Sequence, residues 1–427
     1  MRSLLWRGVF AVFLAALLFS GSSSAQTPTR DKPFPELLDA RRWGPVLVDP
    51  SWRIQNIGYD GNVFLVPDSV PKETDWFIRT GPDLRGQLRF GRHMALTFHD
   101  EFIWELYASH SDLNQTSNDF DGQYDLLLGP VLLTTKGRWA STFGRPNNEL
   151  DQRTRLDRTE IGETARFFIG SRTDLSTTFS VERMRYNDPD YLVSIDPGGT
   201  GDIILLPIDN ALNRDRKRWS TEWGWRPRGR TRLFAKYAIL KDDFISDVRG
   251  RDVEERRQTL GVEFVPNAFL SGRFEFGKSK LENLDKRFDF TPYNGTVSDT
   301  KLVYRPTGST RVTADYERNV KFSTYENNLY FRETLTGLHL ESYLGNNWGF
   351  QLGGNIRQLD YPEKNTITRP IGEKRSDEIT DYFGGILLRL SGGVNFSLRI
   401  GRRVRTSNVK FAEDNQTYFS TSSSYRF

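Results

Sequence analysis

The stretch that decides the fold reads Val394-Asn395-Phe396-Ser397-Leu398-Arg399-Ile400-Gly401, in which apolar and polar side chains alternate. Successive side chains of a β-strand point to opposite faces, so this period of two gives a strand one apolar face and one polar face. Similar alternation recurs in the runs 175–182, 219–226, 348–357 and 384–390. Helical spacing is confined to a turn or two at 35–42. The sequence therefore predicts an all-β protein.

The composition fits strands whose apolar layer is thin. The 427 residues carry 59 Lys and Arg against 55 Asp and Glu, and only 37% are hydrophobic although 13% are aromatic. An ordinary globular domain has roughly 45–50% apolar residues. The chain also lacks cysteine. These values disfavour a doubly wound α/β enzyme, a helical membrane protein and a disulfide scaffold, and the aromatic content disfavours a disordered chain.

The N-terminus has the pattern of a secretory signal peptide. Arg2 and Arg7 precede an apolar run at 9–19, and Ser23-Ser24-Ala25 fits cleavage after Ala25. We therefore predict a signal peptide at 1–25, a periplasmic segment at 26–50 and a barrel at 51–427. No later apolar run approaches the ~20 residues that a membrane helix needs.

The connections between strands alternate in length. Eight short turns, among them Lys136-Gly137, are interleaved with nine longer polar stretches, so 17 connections join 18 strands. Short periplasmic turns, long outer loops and an even strand number are typical of outer-membrane barrels. We predict a transmembrane antiparallel up-and-down β-barrel of about 18 strands, in the outer membrane of a Gram-negative bacterium.

The last strand ends in Tyr425-Arg426-Phe427. A terminal Phe with an aromatic residue two positions earlier resembles the assembly signal of outer-membrane barrel proteins, here Tyr425 and Phe427. The resemblance implies recognition by the barrel assembly machinery. We also expect the apolar outer faces to contact outer-membrane lipid and lipopolysaccharide.

The polar faces of the strands are expected to line the lumen. They carry both charge signs, which indicates a hydrated wall and not a filter of one sign. The candidate lumen-lining residues are Arg79, Asp83, Arg85, Arg89, Arg257, Arg273, Glu275, Arg305, Arg357 and Arg399. The loop at 188–212 is unusually apolar. It either folds inward as a gate or extends a strand pair above the membrane.

Catalytic patterns are sparse. The four histidines are His93, His99, His110 and His339, and none belongs to a cluster with metal-ligand spacing. No serine lies in a nucleophile elbow, and no phosphate-binding glycine motif or basic nucleic-acid stripe occurs. We therefore expect no enzymatic activity, no cofactor, no metal and no nucleic-acid partner.

A family resemblance enters at the first strand, through Gly58, Tyr59, Asp60, Asn62, Val63 and Phe64. This stretch resembles the G-Y-D-x-N-V-F motif of outer-membrane β-barrel porins associated with exopolysaccharide export. The resemblance implies polysaccharide as cargo and a periplasmic export partner. Aromatic residues on the polar faces, which would contact sugar rings, are few, with Phe234 and Tyr418 the clearest.

Three functions follow as hypotheses. The leading one is a passive outer-membrane pore for exopolysaccharide export. The alternative is a general or substrate-selective diffusion porin. A third, from another class, is a plugged structural barrel or surface adhesin.

Overall fold

The fold is a closed antiparallel β-barrel. The computed structural model describes residues 29, 34, 40–64, 71–149, 153–187, 192–195, 204–207, 212–228, 231–245, 250–264, 269–287, 290–325, 328–366, 368, 370–390 and 394–426. The predicted signal peptide lies outside these residues.

The 18 strands of the barrel are 12 to 17 residues long, and three shorter strands accompany them. They are β1 Arg41–Trp43, β2 Val46–Asp60, β3 Asp75–Phe90, β4 Met94–Tyr107, β5 Gln115–Leu128, β6 Val131–Gly144, β7 Thr154–Ile169, β8 Thr173–Tyr186, β9 Leu192–Ile195, β10 Ile204–Pro207, β11 Arg214–Arg228, β12 Thr231–Phe244, β13 Val253–Phe264, β14 Leu270–Asn283, β15 Tyr293–Tyr304, β16 Thr310–Phe322, β17 Tyr330–Leu344, β18 Trp348–Lys364, β19 Lys374–Arg389, β20 Asn395–Ser407 and β21 Asp414–Arg426. Two single-turn 3₁₀ helices lie at Ser111–Leu113 and Lys410–Ala412. No helix in the described ranges is long and apolar enough to cross a membrane.

Closure is achieved by pairing the first barrel strand with the last. Strands β2–β8 and β11–β21 pair each with the next, and β2 also pairs with β21, so that Asp60 lies opposite Tyr418. This confirms the predicted 18 strands among the described residues. The first of them begins at Val46, five residues before the predicted domain boundary. The short β1 pairs with the start of β2, and β9 pairs with β10 inside the 188–212 loop.

One predicted turn is wrong. Lys136 and Gly137 lie in the middle of β6, and the chain reverses instead at 129–130, where Leu128 pairs with Val131. Gly129 supplies the positive backbone φ of 59° that this tight reversal requires. Leucines on both sides of it make the sequence look like one apolar run, which hides the turn.

The two faces of each strand differ as the alternation predicts. Outward positions carry exposed apolar side chains, of which Leu260 and Ile400 are among the most exposed. Inward positions carry buried or half-buried charges, such as Asp83 and Glu275. A sheet is stable in hydrocarbon only when it is closed and apolar on the outside. These strands meet both conditions, which indicates that they cross a membrane. Barrels of this type reside in the outer membrane of Gram-negative bacteria.

Candidate functional site

Two loops from the long-loop end of the barrel fold into its interior. The β16–β17 loop contacts Arg251 before β13 through Ser323 O, and it contacts the 145–149 segment through Thr324. That segment in turn accepts a hydrogen bond from Arg405 of β20, at Glu149 O. Residues from such widely separated strands can meet only across the lumen. We name the described residues of these two segments, 145–149, 323–325 and 328–329, the inward loops.

Glu149 joins the inward loops to each other. Its carboxylate accepts hydrogen bonds from the Thr324 main-chain N–H at 2.7 Å, from the Thr324 hydroxyl at 3.1 Å and from the Ser323 hydroxyl. Glu149, Ser323 and Thr324 are all buried. Buried carboxylates are costly unless hydrogen-bonded, so these three donors stabilise the inward position of both loops.

Apolar packing joins the β16–β17 loop to the strands on either side of it. Leu329 and Tyr330 lie in one buried cluster with Val253, Leu281, Tyr293 and Val297 of β13–β15. Tyr325 and Phe331 lie in a second cluster with Leu359, Tyr361 and Ile379 of β18 and β19. The described residues at both ends of the loop therefore pack against neighbouring strands instead of standing in water.

Charged side chains pack against the second cluster and pair with one another. The Arg375 guanidinium lies over the rings of Tyr325 at 4.5 Å and Tyr361 at 4.8 Å. Arg375 and Arg405 both pair with Asp377, and all three side chains are almost fully buried. Cation–π contacts of this kind gain strength when they are removed from water.

The first-strand motif lies beside the inward loops. Asp60 accepts hydrogen bonds from Arg153 at 3.1 Å, from the Asn62 main-chain N–H at 2.9 Å and from Gln416. Asn62 donates to Asp414 at 3.1 Å. Arg153 directly precedes β7 and also pairs with Glu105 at 3.3 Å. The motif thus ties the end of the 145–153 loop to the seam between β2 and β21.

The wall of the lumen is layered by charge. Asp83 is 2% exposed whereas its partner Arg85 is 37% exposed. Glu105 is 7% exposed and its partner Arg79 35%. The same order holds where Arg158 covers Glu182, Arg257 covers Glu255, Arg273 covers Glu275 and Lys321 covers Glu333. Short carboxylates lie in the wall, and longer cationic side chains reach past them into the lumen.

The structure places nine of the ten candidate lumen-lining residues on inward strand positions. Arg305 differs, because it lies one residue beyond the end of β15 and its main-chain N–H donates to Phe269 O at 2.6 Å. Arg357 lies 3.9 Å from Glu333, and Arg399 donates to Gln351 at 2.9 Å. The others are Arg79, Asp83, Arg85, Arg89, Arg257, Arg273 and Glu275.

Other predictions fall largely outside the described residues. In the 188–212 loop the backbone pairing of β9 with β10 is described, but their side chains are not, so its role as a gate remains a prediction. Tyr425 pairs with Trp52 at the closure seam, whereas Phe427 is outside the described residues. No group of His, Asp or Glu within the described ranges could hold a metal ion.

The inward loops were missed by sequence reasoning. Stretches 146–155 and 321–328 look like ordinary polar outer loops. In the structure they are distinguished by the buried side chains of Glu149 and Tyr325. From the sequence alone, neither residue type indicates which residues it will contact.

No family model matches the chain, and neither does any curated protein. Solved structures with a similar fold include Acinetobacter baumannii OccAB3, at 10% identity over 89% of this chain and 99% of that chain, with a TM-score of 0.48. Pseudomonas aeruginosa OccK2 (OpdF) in complex with glucuronate has 11% identity over 90% and 98%, with a TM-score of 0.49. A bacterial polysaccharide outer membrane secretin has 8% identity over 88% and 98%, with a TM-score of 0.35.

Proposed function

We propose that this protein is a diffusion channel of the outer membrane that passes small hydrophilic solutes and favours anions. The observation that carries the proposal is the layering of charge. In the six ion pairs named above, the guanidinium or ammonium group is more exposed than the carboxylate that pairs with it. A solute in the lumen therefore meets positive charge first, and the potential of such a surface attracts anions.

The inward loops support small solutes over polymers. Segment 145–149 reaches across the barrel to Ser323 and Thr324 through Glu149, and the β16–β17 loop packs on its neighbouring strands through two apolar clusters. An 18-stranded barrel would otherwise leave a wide aqueous channel. Export of an exopolysaccharide chain would require the 145–149 segment to leave the lumen, at the cost of the buried hydrogen bonds of Glu149.

The inward aromatic residues also favour solute diffusion over export. Phe234 is only 3% exposed, and the Arg273 guanidinium covers its ring at 3.8 Å. The Tyr418 hydroxyl donates to Asp381 at 2.8 Å, and its ring packs against the backbone of Gly401. Phe234 therefore offers no free face on which a sugar could stack, and Tyr418 has one ring face against the backbone.

The test is electrical measurement on the purified protein in planar bilayers. Under a KCl gradient we expect discrete channels whose reversal potential shows preference for chloride, and in liposome swelling we expect entry of monosaccharide-sized solutes but not of long dextrans. A protein without conductance would support the plugged barrel instead. Preference for potassium would contradict the charge layering, and passage of dextrans would restore the export hypothesis.

A further inference from the structure

A row of carboxylates interrupts the cationic surface on one wall. Glu275, Asp299 and Glu317 lie directly opposite one another on β14, β15 and β16, and all three face the lumen. Like charges in directly opposed positions destabilise a sheet. Three like charges in one row therefore lower the stability of the sheet, and the packing of neighbouring side chains does not explain why the row is present.

Asp299 differs from its two neighbours in the row. Glu275 accepts a hydrogen bond from Thr259 at 2.6 Å and pairs with Arg273 at 2.8 Å, while Glu317 lies 3.5 Å from Lys321. Asp299 is exposed to the lumen, and within the part of the chain that the structure describes its carboxylate has neither a hydrogen bond nor an ion pair. Its negative charge is therefore available to a solute.

Asp299 lines a recess of about 190 Å³ in the inner wall of β15–β18. Gly337 lies in this lining, opposite Asp315 and Asn355, and a Cβ there would meet both neighbours at 3.6 Å. The absence of a side chain at Gly337 therefore leaves the space that forms this recess. We name it the carboxylate recess; its lining includes the charged residues Asp299, Lys301, Asp315, Glu317 and Arg357, together with His339.

The recess has an acidic end and a basic end. Asp299 and Glu317 lie on β15 and β16, whereas Arg357 lies in the same row two strands further on, separated from Glu317 by Leu335. A protonated amine would be stabilised by the first pair and a carboxylate by the guanidinium. A simple anion would satisfy only the basic end and would be repelled at the other.

We infer that the carboxylate recess binds small amphoteric solutes, with a primary ammonium group at Asp299 and Glu317 and a carboxylate near Arg357. This inference rests on the proposed diffusion function and adds the substrate class. The cationic surface draws the carboxylate of the solute into the lumen, and the recess selects solutes that also carry an amine.

The test uses γ-aminobutyrate, with butyrate as the analogue that lacks the amine, added to single channels of the full-length protein. We expect γ-aminobutyrate to reduce the open-channel current in a saturable manner at concentrations where butyrate has little effect. Asp299→Asn should weaken the apparent affinity for γ-aminobutyrate by roughly tenfold, since it removes one charge-assisted contact. Gly337→Leu, which fills the recess, should remove the block while channels still open.

The matched control is Asp121→Asn, which removes a half-exposed inward carboxylate on β5, outside the recess. It should leave the affinity for γ-aminobutyrate unchanged. Equal block by butyrate in the wild-type channel, or equal affinity in Asp299→Asn, would overturn the recess as a binding site while the diffusion function stands. Absence of conductance in the wild-type protein would instead overturn the diffusion function itself.

Discussion

The main-chain N–H of Thr324 donates to the carboxylate of Glu149 at 2.7 Å, although the two residues are 175 positions apart. They belong to loops that start from opposite parts of the barrel rim, so the bond exists only because both loops turn inward. Buried, charge-assisted hydrogen bonds are among the stronger polar contacts in proteins, and Glu149 makes three of them with the β16–β17 loop. Substitution of Glu149 is therefore the most direct way to release the inward loops.

Glu149→Ala is expected to widen the channel. It leaves the Ser323 and Thr324 donors unpaired in a buried place, which costs about 1–3 kcal/mol per group. The inward position of the two loops is then less favourable, and single-channel conductance and its fluctuations should rise. Bilayer recordings check this. Glu341→Ala is the control, because Glu341 pairs with Arg311 far from the inward loops. Unchanged conductance in Glu149→Ala would show that the loops do not limit passage.

Neutralising exposed lumen cations is expected to lower anion preference. Arg79→Gln and Arg85→Gln remove charges that stand above the buried Glu105 and Asp83, and so they uncover carboxylates as well. Each should reduce the anion-to-cation permeability ratio roughly two- to fivefold at low salt, and less at high salt where screening is strong. Reversal potentials measure the ratio. Arg256→Gln, at an exposed outward position on β13, should leave it unchanged. A shift as large in Arg256→Gln would contradict a lumen origin.

The loop at 108–114 is expected to loosen as pH rises. Hydrogen bonds to Glu73 at 2.8 Å and to Asp75 at 3.0 Å raise the pKa of His110 above its ordinary value of 6.5. A raised folded-state pKa gives stability that is fully present below 6.5 and is lost as pH rises through the raised value. Amide hydrogen exchange in 108–114 should therefore accelerate across that range, beyond its intrinsic pH dependence. His110→Gln should remove the additional step, and its persistence would assign it to another group.

Asp174 is expected to be critical for stability. It is fully buried and accepts hydrogen bonds from Arg226 at 2.6 Å, Arg232 at 2.7 Å and Arg166 at 3.2 Å. Asp174→Asn leaves three guanidinium groups without their shared carboxylate, and breaking a buried ion pair in this way costs about 3–5 kcal/mol. Urea unfolding of the detergent-solubilised protein measures the free energy of unfolding. The half-buried Asp243 loses only contacts with Lys217 and Lys241 in Asp243→Asn, which should cost less than about 1 kcal/mol.

The sequence was sufficient for the barrel but not for its interior. Alternation reports which side chains share a face, so the strand number and the inward placement of residues such as Arg273 follow from it. Alternation says nothing of depth along the lumen axis, and the exposure of Arg85 relative to Asp83 depends on side-chain length and packing against neighbouring strands. The inward loops depend on contacts such as Glu149 with Thr324, which no local pattern encodes. Predicting the row of Glu275, Asp299 and Glu317 requires the register between neighbouring strands. Periodicity alone does not fix that register, because a shift by two residues keeps every side chain on the same face.

The first-strand motif is expected to act as a latch for the 145–153 loop. Asp60 holds Arg153, and Asn62 holds Asp414 across the closure seam, so the motif side chains connect the loop to the two strands that close the barrel. Asp60→Asn keeps the shape but removes the charge that holds the Arg153 guanidinium. Channels of Asp60→Asn should still form and should show more frequent current fluctuations, since one end of the loop is released.

A second variant separates latch from fold in this test. Arg153→Gln breaks the same pair from the loop side and leaves the seam contacts of Asp60 with Gln416 and of Asn62 with Asp414 in place. If the motif acts through the loop, both variants fluctuate alike and unfold in urea close to the wild-type midpoint. If the motif serves only to close the barrel, Asp60→Asn lowers the midpoint and Arg153→Gln leaves the current record unchanged. If the motif acts through the loop, the double variant should fluctuate no more than either single variant, because the two side chains form one contact.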